Sequence, residues 1–162
     1  MPAKFNLMYE FENYGSSALI TLLILGLLLI PTIFYFISLQ KALEAVSPEN
    51  RQMPPGQVWL SLIPLFNFVW MFFVVNKIAQ SFQLECYGLN IPSKELKPTQ
   101  GIGNAKNILH VCSLIPVLGG LAGLGFIVCW IIHWVKVNEY KNLILANRDN
   151  VILDAEEGIF HE

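Results

Sequence analysis

The chain has 162 residues, of which 54% are hydrophobic and only 14% charged, against about 25% charged in an ordinary soluble domain. With a net charge of −2 and three cysteines, it is neither a disordered chain, a collagen-like repeat nor a disulfide scaffold, and no basic aromatic patch points to nucleic acid. All the charge lies outside three runs, residues 13–40, 52–76 and 107–135, which are 28, 25 and 29 residues long. Membrane-embedded segments demand that sorting and a soluble core does not.

The first 17 residues interleave Phe5, Tyr9, Phe11 and Tyr14 with Lys4, Glu10 and Glu12. This mix suits a segment lying at the headgroup level, and a frayed terminus is the plainer alternative. The run that follows is too long and too poorly flanked for a cleaved secretory signal, so it reads as a retained span over 18–39, kinked at Pro31. Residues 41–57 read as a polar connection broken by Ser47-Pro48 and Pro54-Pro55-Gly56. A second span is expected over 58–76, containing Pro64, with its helix continuing towards Gly88. Residues 90–100, with two prolines, read as a loop.

The last run is too long for one helix across a core of about 30 Å and is interrupted at Pro116 and at Gly119-Gly120. It divides into a short third helix over 101–115, minimal or re-entrant, and a fourth over 121–146. The expected fold is therefore all-α, an integral membrane bundle of four transmembrane helices kinked at Pro31, Pro64 and Pro116. Residues 18–146 form its membrane domain and 147–162 an acidic cytoplasmic tail.

Positive charge selects four spans over three. With four, eight of the ten Lys and Arg residues share one face and only Lys41 and Arg51 lie opposite; with three the split is even. The positive-inside rule then places both termini in the cytoplasm. Attraction to anionic lipid headgroups adds to what topology asks of Lys77, Lys94, Lys97 and Lys106. Ser61-Leu62-Ile63-Pro64 recurs as Ser113-Leu114-Ile115-Pro116, each copy leading into a Trp-containing apolar stretch that ends in Lys. A four-residue apolar match also arises by chance, but a true duplication would make two related helical hairpins.

No charged residue falls within the three apolar runs, which disfavours an ion-coupled transporter built from one chain. Of the intramembrane polar groups, Asn67 is expected to bridge helices by hydrogen bonding. His110 and His133 sit at different depths, so neither a metal nor a bis-His haem is expected, and His133 reads as an interfacial residue in a Trp belt. Gly119, Gly120 and Gly123 permit a hinge, a hairpin or a close helix contact beside Pro116, and Pro64 offers a second hinge. No nucleophile has a water-accessible base, so no catalytic residue and no cofactor is expected.

The stretch from Pro54 to Trp70, with Val75-Asn76-Lys77-Ile78-Ala79, resembles the signature helix of small uncharacterised bacterial multi-pass membrane proteins. Trp130-Ile131-Ile132-His133-Trp134-Val135-Lys136-Val137-Asn138 is similar to that class too. The resemblance implies a bacterial inner-membrane location and a four-helix plan, and brings no catalytic residues with it. The expected role is a non-enzymatic membrane component that acts by helix packing. Its partners would be membrane lipids and a second copy or another protein on the cytoplasmic side. The alternatives are an oligomeric pore or transport subunit and, further off, a haem-binding redox subunit.

Overall fold

The computed structural model describes the backbone of residues 2–93 and 95–159 and the side chains of 17–27, 29–93 and 95–150. The described residues form α1 (Pro2–Ala45), a 3-10 helix (Pro55–Leu62), α2 (Phe66–Gly88), α3 (Gln100–Cys112) and α4 (Gly119–Ile159), with no strand among them. The all-α expectation holds. The chain divides into two units, Met1–Tyr35 and Phe36–Glu162; α1 supplies the first and opens the second. The aromatic side chains invoked for an interfacial 1–17 segment lie outside those described.

Two helices are long and apolar enough to cross a bilayer, Ser17–Ala45 with mean hydropathy 2.6 and Gly119–Asn150 with 1.7. Only 12% and 17% of their most apolar windows are buried, whereas the core helix of a soluble protein is mostly buried. α1 runs through Pro31 without interruption. Between Gly26 and Phe34 its side chains Leu27, Leu29, Ile30, Ile33 and Phe34 are all exposed. The other two helices fall short: α3, at 13 residues, is about 20 Å long, and α2 turns polar from Lys77 onward.

The expected second span does not exist as one helix. Proline cannot donate a backbone hydrogen bond, and at Pro64 the 3-10 helix stops; Leu65 takes φ 63° and Asn67 N bonds back to Ile63 O at 3.0 Å. The chain reverses there. Gln52 N donates to Ser81 Oγ at 2.9 Å and Trp70 Nε1 donates to Gln57 O at 3.0 Å, so the 3-10 helix runs antiparallel to α2. α3 and α4 make the second hairpin. Ser93 and Tyr140 Oη meet at 3.2 Å near its open end, and Gly119 packs on the Ser113 carbonyl at its turn. Each hairpin turns on its own copy of Ser-Leu-Ile-Pro, 61–64 and 113–116.

This geometry overturns the expected distribution of basic residues over two faces. Ser47 Oγ and Asn50 Nδ2 both donate to the Glu85 carboxylate, at 2.7 and 2.8 Å, and Arg148 bonds Glu85 and the Ala45 carbonyl together. The 41–57 connection therefore lies at the same end as the 89–99 connection and the far end of α4. Arg148, assigned to a cytoplasmic tail beginning at 147, is instead folded onto the bundle, and α4 continues as helix to Ile159.

The two ends of the Phe36–Glu162 unit are patterned oppositely. At the basic end Leu39, Leu43, Val46, Ile78, Phe82 and Ile144 are wholly buried, each side chain contributing about 1.5–3 kcal/mol relative to exposure in water. Towards the turns the pattern inverts. Leu65, Val69, Leu114, Val117, Leu121, Leu124, Val128 and Val135 face outwards while Lys106, Asn107 and His133 are buried. Apolar outside and polar inside is the arrangement a protein adopts against hydrocarbon.

Candidate functional site

The polar seam is the inner face of α3. Gln100, Gly103, Asn104, Asn107 and His110 recur at helical spacing, which lines them along one side. At its entrance Glu95 receives Lys136 Nζ and the backbone N–H of Thr99, the latter at 3.2 Å. The hydrogen bond from Lys136 holds the Glu95 carboxyl below the usual carboxylate range. Next along the seam, Asn76 of α2 uses its carboxamide twice. Its nitrogen donates to Phe72 O at 2.7 Å, and its oxygen accepts from Gln100 Nε2 and, at 3.5 Å, from Asn104 Nδ2.

Three layers of contacts set the depth of each group. Phe82 stacks on Tyr140, with ring centroids 5.8 Å apart. Seven residues further towards the turns, Val75 and His133 meet at Gly103, where a Cβ would fall 2.5 Å from Val75 Cγ1 and 2.7 Å from the His133 ring. Seven residues further again, His110 lies between Phe68 and Phe126, at 4.7 and 4.6 Å. Seven residues are two helical turns, about 10 Å. Gly103 is what allows α3 to seat between α2 and α4 at the middle layer.

Lys106 and Asn107 lie between the middle and inner layers, each 3% exposed. The Lys106 charge acts on both His110 and His133. Asn107 Nδ2 and Asn104 Oδ1 are buried with no hydrogen-bond partner among the described residues. This corrects the expectation of a bundle interior free of Asp, Glu, Lys and Arg. The charge-free run begins at 107, so Lys106 was counted with the loop before it, one residue outside; continuing the spacing of Gln100, Gly103 and Asn107 across that boundary was the signal that finds it.

The other expected residues are distributed as follows. His133 is wholly buried against α3 and does not occupy a Trp belt at an interface; Trp134, on the neighbouring face, donates to Ser38 Oγ at 2.8 Å. His110 and His133 sit two helical turns apart, and no metal-holding group of three or more His, Cys, Asp or Glu occurs among the described residues. Asn67 is near the first turn, and its Oδ1 is buried with no hydrogen-bond partner among the described residues. The bridging bond expected of it is not made. Pro64 and Pro116 mark the two turns. Gly119 is pinned, since a Cβ there would come 2.9 Å from Ser113 O, whereas Gly120 and Gly123 face open space.

At the basic end a second cluster closes the bundle. Glu85 is 1% exposed and takes hydrogen bonds from Asn50, Ser47 and Arg148. Burial pushes its carboxyl up, and those three donors together outweigh it and hold the group below its ordinary value. Beside this cluster an open groove of about 400 Å³ is lined by Cys86, Tyr87, Ile91, Glu95 and Leu96 among others, with Tyr87 and Leu96 strongly exposed. Burial, with Glu85 adjacent, raises the Cys86 thiol, which makes it a poor nucleophile. No protein family, curated protein or solved structure matches the chain.

Proposed function

We propose that the protein is a non-enzymatic integral membrane component that acts through packing in the bilayer and through a partner at its basic end. The observation that carries this reading is the outward apolar surface of α1 and α4, beside hairpin turns with no exposed charge. α1 crosses the membrane, while the 3-10 helix with α2, and α3 with α4, enter it as two re-entrant hairpins.

Lys41, Arg51, Lys77, Lys97, Lys136, Lys141 and Arg148 all belong to the basic end, which the positive-inside rule assigns to the cytoplasm. A bacterial inner-membrane location follows from the resemblance to small multi-pass proteins. The C-terminus keeps its expected cytoplasmic side. One crossing by Ser17–Ala45 leaves its two ends on opposite faces of the bilayer, so the N-terminal end of α1 goes to the other face, against the expectation of both termini inside.

The exposed Tyr87 and Leu96 around the groove supply the amphipathic and apolar contacts that partner surfaces favour. The test is two-part. The protein should stay in the membrane pellet after alkaline carbonate extraction, and a partner copurifying in mild detergent should be lost from Tyr87→Ala; release of the chain at alkaline pH contradicts the reading. A transport subunit is the second reading, favoured by the ionisable Lys106 within the apolar bundle.

A further inference from the structure

We propose that Lys106, His110 and His133 form one proton-binding site inside the bundle, reached from the basic end along the polar face of α3. The three side chains come from two helices and fall within the space between two contact layers about 10 Å apart. Lys106 lies four residues before His110 on α3 and one turn after Gly103, against which the His133 ring packs, so a proton held at Lys106 changes the affinity of each histidine and the groups titrate as a set.

The approach runs along the polar face of α3. From the water-exposed Lys136 and Glu95 pair, hydrogen bonds lead to Thr99 N; Gln100 follows in sequence and bonds Asn76, which also bonds Asn104. Asn104 Oδ1 and Asn107 Nδ2, buried with no hydrogen-bond partner among the described residues, supply one acceptor and one donor for a water between Asn76 and the three nitrogens. Beyond His110 the route ends. Phe68 and Phe126 pack on its ring, and no Asp, Glu, Lys, Arg or His follows before the turn at Pro116.

The groups that face the site are few. From α2 they are Phe68, Val75 and Asn76, all uncharged, while Lys77 lies over the Phe73 ring at 5.6 Å. From α4 they are Phe126 and His133, with the Lys136 and Glu95 pair at the entrance. No carboxylate among the described residues lies within the seam, so the site exchanges its proton with water at the basic end.

The test uses the full chain in lipid nanodiscs, with side-chain nitrogen NMR of Lys106, His110 and His133 followed from about pH 4 to about pH 10. The expected result is a stepwise titration in which an inflection at one of the three nitrogens also appears in the signals of the other two. In Lys106→Met, which keeps the length and removes the charge, the histidine curves separate and change position. Gln100→Leu, which caps the approach, slows proton exchange at the histidines at least tenfold without altering the fold. Three outcomes overturn the proposal: signals that do not titrate, signals that titrate independently in the wild type, or histidine curves unchanged in Lys106→Met. Unchanged exchange in Gln100→Leu overturns the route. If Lys106→Met does not fold, Asn107→Leu, which removes one partner of the bridging water, tests the same coupling.

Discussion

Arg148, nearly three-quarters of the way along α4, holds the buried Glu85 carboxylate at the end of α2 and the Ala45 carbonyl at the end of α1 together. One side chain of α4 thus ties two helix ends that a four-span topology would separate across the bilayer. Glu85 is 1% exposed and Arg148 about a third exposed, so the pair sits where a lost partner is felt.

Removing the arginine leaves Glu85 with Ser47 and Asn50 alone. Arg148→Met is expected to cost about 1–3 kcal/mol, between the loss of a hydrogen bond to a charged group and the breaking of a fully buried pair. Thermal unfolding in detergent checks it. An unchanged midpoint would show that Ser47 and Asn50 suffice.

The same cluster gives the protein an acid dependence of known sign. The carboxyl of Glu85 is held below its ordinary value in the folded state. Its contribution is therefore present above the ordinary carboxylate range and is lost as pH falls through the lowered folded value. Glu85→Gln should unfold more easily than wild type at neutral pH, and the two should converge in acid. A difference that grows as pH falls would contradict the assignment.

Two glycines on different helices should respond oppositely to a methyl group. Gly103→Ala places a Cβ 2.5 Å from Val75 Cγ1 and is expected to destabilise by about 1–3 kcal/mol, as overpacking does. Gly123→Ala meets open space and should be neutral or stabilising by up to about 1 kcal/mol through helix propensity. Unfolding midpoints of the two variants, taken side by side, decide it.

At Asn67 the buried carboxamide oxygen has no partner among the described residues. Asn67→Leu is therefore expected to be neutral or to stabilise by up to about 1 kcal/mol. A clear loss of stability would restore the bridging role read from the sequence.

What the sequence shows and what it hides follow from particular residues. The long apolar runs announce α1 and α4 because uninterrupted hydropathy needs no tertiary context. The copies of Ser-Leu-Ile-Pro are visible as well, but not that each is a reversal: Leu65 at φ 63° is a conformation that leucine rarely adopts and that no propensity announces. Counting lysines by loop assumed that every apolar run crosses, and a hairpin that returns to its own side breaks that assumption. Lys106 and Gly103 escaped for a related reason. Their meaning depends on His133 and Val75, which are 27 or more residues away in the chain.

The sidedness of the 41–57 connection and of the far end of α4 tests the re-entrant topology most directly. In a cysteine-free background, single cysteines at Glu49 and Asn150, both exposed, are labelled with a membrane-impermeant reagent in sealed vesicles of known orientation. A third cysteine at Val117, 93% exposed at the second turn, reports the hairpin tip. The re-entrant topology requires positions 49 and 150 to label from the same face, with 117 protected from both. Labelling of 49 and 150 from opposite faces would contradict it and restore four full crossings.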